Sequence, residues 1–480
     1  MWSVGCLMSG YRITRLEKEP TSENIANAIS DNLAGRNEEL VAFVEMLSLI
    51  DGPYTIMLDA PWGEGKTFFI KSAQYVMNAL AVSETGENDK WDERIRTVVE
   101  PLLESNCSTF LPLYFNAWEN DDVEDPICSM FATFASQLDQ DFLARQLKLG
   151  EGIREGIFKL VDIALAASPV KIRTSEIYGT LKPTDLIEAY RKRAELKEAI
   201  TSMTEKANLG IADKLVIIID ELDRCRPDYA VRLLEQVKSL FQSENIITVV
   251  STDSVQLAKA MAGVYGEGYD SQKFLERFFD YRVTLPSCDP FKVAMGKPFQ
   301  QTSDRFEVLE KELLDSRVLT PRDVLRLLPK LDAAKRYASE HSRDDDVPFA
   351  SGYHHLVANS AFLPLLIFVE RENSGLFRSI TSGLDFDSLY EEGKKYPAFM
   401  DTVIGSMGRG GRCSSNGSCD GSENDVKQYV HDLCEIIYSP NQSGKDVSEA
   451  RQRLELFGNS FPPEIYKGLS FPNNSEGVDA

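Results

Sequence analysis

The sequence predicts an α/β fold with a three-layer α/β/α core around a parallel sheet, and three segments carry this prediction. Residues 55–67, TIMLDAPWGEGKT, read as an apolar strand that runs into a glycine-rich turn, and FFIKSAQYVMNAL continues them as an amphipathic helix. Residues 215–219, LVIII, are apolar without interruption, as expected for a strand that a parallel sheet buries on both faces. Residues 245–250, NIITVV, predict a third strand of the same sheet.

The turn after the first strand has the pattern of a phosphate-binding loop. The backbone N–H groups of such a loop point inward, and the helix that follows adds the partial positive charge of its N-terminus. Lys66 would reach the β- and γ-phosphates of a nucleotide, and the Thr67 hydroxyl would hold Mg²⁺. Ala60 stands at the first glycine of the pattern G-x-x-x-x-G-K-[ST], which is tolerable only if its φ is negative. An ordinary strand-to-helix turn is the alternative interpretation of this segment alone.

The second strand ends in two carboxylates, Asp220 and Glu221. They stand at the carboxyl edge of the strand, where open α/β sheets place their ligands. Asp220 would accept a hydrogen bond from a water molecule in the Mg²⁺ shell, and Glu221 would orient and deprotonate the water that attacks the γ-phosphate. A buried strand that ends in a charged turn is the alternative. Together with the loop at Lys66, the acid pair predicts a nucleotide-binding site.

The third strand leads into Ser251, Thr252 and Asp253. In NTPases that carry an additional strand between the phosphate-loop strand and the acidic strand, a polar residue at this position senses the γ-phosphate. Thr252 or Asp253 would serve, and a side chain that caps the end of the strand is the equally plausible alternative.

With these segments in place, the chain resembles the KAP family of P-loop NTPases, within the AAA+-like and STAND-like group. The resemblance covers roughly residues 30–335 and rests on phrases that stand in order: DNLAGRNE at 31–38, APWGEGKT at 60–67, FNAW at 115–118, DELDRC at 220–225, FLER at 274–277 and TPR at 320–322. The tryptophan in the loop and the FNAW phrase make the resemblance fairly specific.

The resemblance implies ATP as the nucleotide, an α/β core, a helical lid and frequent self-association. It also implies, for this family, either membrane attachment or bacterial defence against phage. The implied catalytic residues are Lys66, Glu221 and Arg277, and the implied ligands of Mg²⁺ are Thr67 and Asp220. The implied nucleotide-binding residues are Arg36, Trp62, Gly63, Glu64, Gly65, Lys66, Thr67, Phe68 and Arg322.

Two arginines in the later phrases have open roles. Arg277 stands where the family has a lysine, and it would serve as an arginine finger toward the γ-phosphate of a neighbouring subunit. A salt bridge with Glu276 or another acid on the same helix face is the alternative. Arg322 or Arg326, at the start of the predicted lid helix, would contact phosphate, and a plain surface charge is the alternative.

The composition of the chain restricts the kinds of partner that it is expected to bind. The chain has 480 residues and a formal charge of −23, which disfavours nucleic-acid binding through a broad positive surface. The basic run Arg191–Lys192–Arg193 is interleaved with glutamates and predicts a salt-bridged helix face instead. Eight scattered cysteines and four histidines show no metal-binding spacing, so Mg²⁺ is the only metal expected. Free thiols in a chain that also has a predicted ATP site indicate a cytoplasmic protein.

No membrane segment is expected. The first twenty residues lack the basic start and apolar core of a signal peptide, and no stretch reaches the ~18–20 apolar residues of a spanning helix. The predicted organisation is an N-terminal extension (1–30), an NTPase core (31–290) with a charged helical insertion (120–210), a helical lid (291–345) and a C-terminal helical region (346–480). That region contains a flexible loop near 408–424 and a disordered tail.

These features favour a Mg²⁺-dependent ATPase, oligomeric, that acts as the energy or switch component of a bacterial multi-protein system, plausibly anti-phage defence. Its partners would be other copies of the chain and other proteins of the same system. One alternative is a signalling scaffold that holds nucleotide with little hydrolysis and recruits partners through its C-terminal helices. A nucleic-acid remodelling ATPase is a third hypothesis, which the acidic composition makes weaker.

Overall fold

The computed structural model describes most of the chain in two compact units. The described residues are 19–83, 92–123, 125–140, 212–266, 270–288, 303–317, 319–341, 356–407, 422–439 and 444–454, with residues 194, 195, 197, 198, 200, 268 and 354. The sheet unit takes the described residues between Lys18 and Gly296 together with Thr320–Arg322. The helical unit takes those of Lys297–Leu319 and those from Asp323 onward.

The sheet unit is built on five parallel strands. They are β1 Tyr54–Asp59, β2 Phe110–Asn116, β3 Lys214–Asp220, β4 Ile246–Thr252 and β5 Tyr281–Thr284. Their order across the sheet is β2-β3-β4-β1-β5, and every neighbouring pair is parallel. The predicted fold class is confirmed, and β4 lies between the strand of the glycine-rich loop and the strand of the acid pair.

Helices follow or precede each strand of this unit. They are α1 Ser22–Ser30, α2 Asn37–Leu49, α3 Lys66–Ser83, α4 Arg96–Glu104, α5 Pro126–Gln140, α6 Pro227–Leu240, α7 Ser254–Tyr265 and α8 Ser271–Leu275. Short 3₁₀ turns occur at Glu93–Ile95, Trp118–Asn120, Leu222–Arg224 and Glu276–Phe278.

The alternation of side chains along β3 explains the three layers. Val216 and Ile218 pack with α1 to α4 on one face of the sheet, whereas Leu215, Ile217 and Ile219 pack with α5 to α7 on the other. Successive side chains of a strand point to opposite faces, so an unbroken apolar run needs helices on both sides. The apolar run that the sequence presents is therefore an interior strand of a sheet covered by helices on both faces.

A buried lysine joins the start of β3 to the end of α2. The Lys214 ammonium donates hydrogen bonds to the carbonyl oxygens of Ser48 at 2.5 Å and Ile50 at 2.7 Å. Carbonyl groups at the end of a helix have no partner within the helix, and a cation there also interacts favourably with the helix dipole. Lys214 thus completes the C-terminus of α2 and connects one helical layer to the sheet.

The helical unit contains α9 Arg305–Asp315, α10 Pro321–His341, a π-helical turn Ala358–Phe362, α11 Leu363–Glu372, α12 Ser374–Thr381, α13 Asp387–Gly393, α14 Pro397–Met407, α15 Glu423–Tyr438 and α16 Lys445–Arg453. The first two residues of α10 are counted with the sheet unit. Phe362 and Phe399 stack in the core of the helical unit with ring centroids 6.1 Å apart. α9 and α10 lie within the residues predicted to form the helical lid, and the helices from the π-helical turn onward lie within the predicted helical C-terminal region.

Several expectations lie outside the described residues. They concern most of the 120–210 insertion, the basic run at 191–193, the loop at 408–421 and the tail. The predicted domain boundaries remain predictions. Among the described helices, none has the length and apolar character needed to cross a bilayer. Clusters of three or more metal-binding His, Cys, Asp or Glu side chains are absent from the same residues.

Candidate functional site

The loop between β1 and α3 depends on two glycines with positive φ. Gly63 has φ +92° and Gly65 has φ +84°. A β-carbon at Gly63 would lie 2.5 Å from Thr320 Oγ1, and the Gly63 carbonyl accepts a hydrogen bond from the Arg322 backbone N–H at 3.2 Å. Both the backbone conformation and the close approach of residues 320–322 therefore require glycine at position 63.

Ala60 fits the loop despite replacing a glycine. Among the described residues, positive φ occurs outside glycine only at Asn32, Asn106 and Glu221. The Ala60 side chain is buried, and its backbone N–H donates to the Thr252 carbonyl at 3.3 Å. The φ angle of Ala60 is therefore not positive, as an alanine at this position requires. The hydrogen bond to Thr252 joins the loop to the end of β4.

Lys66 and Thr67 begin α3 and point in two directions. The Lys66 ammonium is buried and donates to the carbonyl oxygens of Ala60 at 2.6 Å and Pro61 at 3.3 Å. The Thr67 hydroxyl donates to Glu221 Oε1 at 3.5 Å. The loop and the acid pair, which lie more than 150 residues apart in the sequence, therefore meet at the carboxyl edge of the sheet.

Asp220 is completely buried at the end of β3. One carboxylate oxygen accepts the Glu221 backbone N–H at 2.9 Å, and the other accepts the Tyr114 hydroxyl at 3.0 Å. Burial and the nearby Asp220 charge raise the pKa of Tyr114, so the phenol stays protonated and acts as a donor. Tyr114 reaches Asp220 because β2 and β3 are paired in register, with Asn116 opposite Asp220.

Glu221 adopts a left-handed backbone conformation, with φ 60° and ψ 28°. Its Oε1 atom forms an ion pair with Arg224 Nη2 at 2.9 Å. Burial raises the pKa of the Glu221 carboxyl, and the charges of Asp220 and Asp223 raise it further. The positive charges of Arg224 and Arg322 oppose that increase.

The two motif tryptophans contact consecutive residues of the turn after Glu221. The Trp62 indole N–H donates to the Asp223 carboxylate, and the Arg224 guanidinium lies 5.3 Å from the centre of the Trp118 ring. Burial raises the pKa of Asp223, while the Lys66 charge lowers it. Both tryptophans remain about half exposed, at 48% and 50%. The turn is therefore held from both sides.

Arg36 and Glu64, both predicted to bind nucleotide, contact each other. Arg36 Nη1 donates to the Glu64 carbonyl at 2.6 Å, and Nη2 lies 3.4 Å from the Glu64 carboxylate. Nη2 also donates to the carbonyl of Pro286, after β5. Through these contacts, Arg36 connects Glu64 of the glycine-rich loop to the segment that follows β5. Phe68 is half-buried against the apolar core on the α1 to α4 side of the sheet.

The two candidates for a phosphate sensor, at the end of β4, differ in their hydrogen bonds. Asp253 caps α7, since its carboxylate accepts the backbone N–H groups of Val255 and Gln256 at 3.1 Å. Within the described residues, the Thr252 hydroxyl is buried without a hydrogen-bond partner. Asp253 therefore acts as the cap of α7. The buried Thr252 hydroxyl is a polar group that no described residue satisfies with a hydrogen bond.

The two predicted arginines differ in their surroundings. Arg322 lies close enough to Glu221 for its charge to lower the pKa of that carboxyl. Arg277 is exposed, with its guanidinium 5.9 Å from the Phe274 ring centre. It forms no ion pair with Glu276 or any other acid within the described ranges, so the salt-bridge alternative finds no support there. Arg326 is exposed on α10.

The donor set at the end of β3 suits Mg²⁺. This ion takes oxygen ligands in octahedral geometry and usually keeps several waters, with one or two carboxylates from the protein. The Asp220 carboxylate and the Thr67 hydroxyl supply oxygen atoms of this kind, and Glu221 lies beside Thr67. No nitrogen or sulfur ligand competes among these three side chains.

The structure adds contacts that the sequence interpretation missed. Tyr114 on Asp220, Arg224 on Glu221 and Trp62 on Asp223 were not predicted. The available signal was only one of position: Tyr114 directly precedes the FNAW motif, Arg224 lies in the DELDRC motif and Trp62 lies in the glycine-rich loop. A sequence motif identifies a segment of the chain, but it does not show which residue each side chain contacts.

The likeness of the chain to known proteins is found at the level of a protein family. No curated protein gives a significant match to the chain. The model of the KAP family P-loop domain matches residues 19–338, which is more than half of the chain and contains the loop, the acid pair and Arg322. The chain therefore belongs to the KAP family of P-loop domains.

Proposed function

We propose that this protein binds Mg²⁺-ATP and hydrolyses it at the γ-phosphate. The observation that carries the proposal is the hydrogen bond of 3.5 Å between Thr67 Oγ1 and Glu221 Oε1. It joins the glycine-rich loop after β1, at the N-terminus of α3, to a carboxylate that follows β3, with β4 between the two strands. Phosphoryl transfer to water requires both a cradle for the phosphates and a group that positions water.

The loop residues have complementary roles in this proposal. The backbone N–H groups of Gly63 to Phe68 would surround the phosphates, and Lys66 would exchange its carbonyl partners for the β- and γ-phosphates. Thr67 and Asp220 would hold Mg²⁺, which supplies positive charge against the transferred phosphate. Trp62 and Arg36 would line the nucleotide side, with Arg36 acting through Glu64.

Glu221 would accept the proton of the attacking water. A general base works best when its pKa lies near the operating pH. Burial moves the Glu221 pKa upward in that direction, and the charges of Arg224 and Arg322 oppose the shift. Arg322 would also face the negative charge that develops on the phosphate.

The biological setting rests on the likeness to the KAP family. ATP binding would order the helical lid and the contacts between copies of the chain, and hydrolysis would release them. Arg277 would act across such a contact, on the phosphate bound to a neighbouring copy. We assign the protein to the energy or switch role of a bacterial multi-protein defence system against phage.

Phosphate release from ATP by the purified protein tests the proposed activity. Lys66→Ala should lose both nucleotide affinity and turnover, because the phosphate charge loses its cation. Glu221→Gln should keep ATP bound and lower kcat by about 10²–10⁴, the usual contribution of a general base. Chelation of Mg²⁺ with EDTA should abolish turnover in every variant.

Three results would change the conclusion. Wild-type turnover in Glu221→Gln would contradict the role of Glu221. Tight ATP binding without turnover, lost in Lys66→Ala, would instead identify a nucleotide-holding scaffold that recruits partner proteins. Turnover stimulated by DNA, with a steep dependence on salt, would favour a nucleic-acid remodelling enzyme.

A further inference from the structure

Arg224 is the one side chain of the 222–224 turn that contacts the carboxylate of Glu221 directly. The distance from Arg224 Nη2 to Glu221 Oε1 is 2.9 Å, and the two side chains are 28% and 13% exposed. A partly buried pair of this kind is less screened by water than a surface salt bridge. The same guanidinium lies over the Trp118 ring, at 5.3 Å from its centre. Arg224 is thus held between an aromatic face and a carboxylate.

The backbone around this pair is constrained. Glu221 has a left-handed conformation that non-glycine residues adopt at some cost, and such conformations persist only where the surroundings hold them. The Arg224 N–H donates to the Glu221 carbonyl at 3.2 Å, and the Cys225 N–H donates to the Leu222 carbonyl at 3.3 Å. Trp62 holds the turn from the loop side through Asp223.

The contact occupies only part of the carboxylate. Both Arg224 and the Thr67 hydroxyl are directed to Oε1. Within the described residues, Oε2 has no hydrogen-bond partner, so it remains free to accept a proton. The charged groups that face Glu221 are the acids Asp220 and Asp223 and the cations Arg224 and Arg322. Arg224 is the main cation that counters burial and the two acids.

We propose that Arg224, held by Trp118, is a positioning residue that directs the Glu221 carboxylate toward the attacking water. This inference rests on the proposed ATPase activity. Arg224 itself touches neither water nor phosphate in this role. It engages one carboxylate oxygen and leaves the other for the proton, in the way that an oriented partner prepares a general base. Trp118 fixes the guanidinium by cation–π contact, which favours arginine over lysine.

Steady-state kinetics of Arg224→Met, Arg224→Lys and Arg232→Met test the proposal. Arg224→Met should lower kcat by about 10- to 100-fold, less than complete loss of the base, with KM for ATP changed less than about threefold. Arg224→Lys should recover part of kcat. Arg232→Met is the matched control, because Arg232 pairs with Asp228 at 2.9 Å on an exposed face of α6. It should behave as wild type.

Two further measurements separate a positioning role of Arg224 from a general loss of structure: the pH dependence of kcat, and the effect of Arg224→Met in the Glu221→Gln variant. Without Arg224 the pKa of Glu221 should rise, so the acidic limb of kcat should move to higher pH. In the Glu221→Gln background, Arg224→Met should cause little further loss, because the two residues act as one unit. Full additivity of the two changes, or unchanged kcat in Arg224→Met, would overturn the proposal.

Fluorescence tests the contact without turnover. The share of emission removed by Trp118→Phe should differ between the wild type and Arg224→Met, because the guanidinium lies over the indole ring. It should also change in Glu221→Gln, because Arg224 loses its charged partner. A Trp118 signal that is the same in the wild type and in both variants would overturn the positioning contact. Absence of turnover in the wild type, with these differences intact, would instead refute the ATPase proposal alone.

Discussion

At the scale of single residues, Gly63 shows how backbone conformation and packing restrict one position together. Its φ of +92° lies in the left-handed region, and a β-carbon there would lie 2.5 Å from Thr320 Oγ1. The first condition concerns the local chain, and the second concerns a residue more than 250 positions later. The loop therefore takes its shape from its own glycines and from the segment at residues 320–322.

Gly63→Ala should weaken ATP binding. The left-handed conformation costs an alanine about 1–2 kcal/mol, and the contact with Thr320 adds to that cost. The expected result is at least a tenfold higher Kd for a fluorescent ATP analogue, measured by titration. Gly263→Ala is the control, because a β-carbon at Gly263 in α7 meets nothing within 4 Å. Equal affinity in the two variants would contradict this account of the loop.

At the scale of elements, the order of the strands brings the site together. β4 lies between β1 and β3, so the loop after β1 and the acids after β3 meet across the end of one intervening strand. The carboxyl ends of parallel strands share one edge, which collects polar residues from distant segments. At the end of β4, Thr252 lies opposite Asp59 of β1, and the preceding residue Ser251 lies opposite Asp220 of β3.

An acid in α9 makes the stability of the helical unit depend on pH. Glu310 is buried, with 8% of its surface exposed. Burial raises its pKa to about 7, and the charge of Lys335 only partly opposes this. Because the folded protein holds this proton more tightly than the unfolded chain, its contribution is present at acidic pH. It is lost as the pH rises from the ordinary glutamate value through about 7.

Glu310→Gln should remove that dependence. We expect the variant to be more stable than the wild type at pH 8 by about 1–3 kcal/mol, and equal to it near pH 4, below the ordinary glutamate pKa. Urea unfolding followed by helical circular dichroism at both pH values measures the difference. Asp315→Asn, an exposed acid on the same helix, should change neither value. A gain from Glu310→Gln that is the same at both pH values would show that the proton is not the cause.

At the scale of the whole molecule, charge distribution limits how the protein associates. The chain carries a formal charge of −23, so an exposed cation such as Arg277 stands out against a predominantly acidic composition. Opposite charges on two copies of a chain favour and orient their association. The action of Arg277 on the nucleotide of a neighbouring copy stays a proposal.

Mixing two inactive variants tests that role. Lys66→Ala lacks its own nucleotide site, and Arg277→Ala lacks the residue that acts on a neighbour. If Arg277 acts in trans, each should be inactive alone, and their mixture should regain part of the wild-type phosphate release. Arg96→Ala, an exposed arginine, should keep full activity alone. Failure of the mixture to regain activity, in protein that self-associates, would refute action across a subunit contact.

The sequence by itself determined the fold class, the loop with Lys66 and Thr67, and the acid pair at Asp220 and Glu221. These features are local, because an apolar run, a glycine turn and a terminal charge depend on neighbours a few residues away. They were also sufficient to recognise the family, which the match over residues 19–338 confirms. The roles of the individual site residues remain predictions.

Only the tertiary structure decided how the site is supported. The contacts of Tyr114 with Asp220, Trp62 with Asp223 and Arg36 with Glu64 join residues from 28 to 161 positions apart. They depend on strand register and on side-chain direction, neither of which leaves a periodic signal in the chain. Even the ion pair of Glu221 with Arg224, three residues apart, is formed where a left-handed residue, Glu221, begins a 3₁₀ turn. Local sequence supplies the reactive groups, and packing decides which atoms they face.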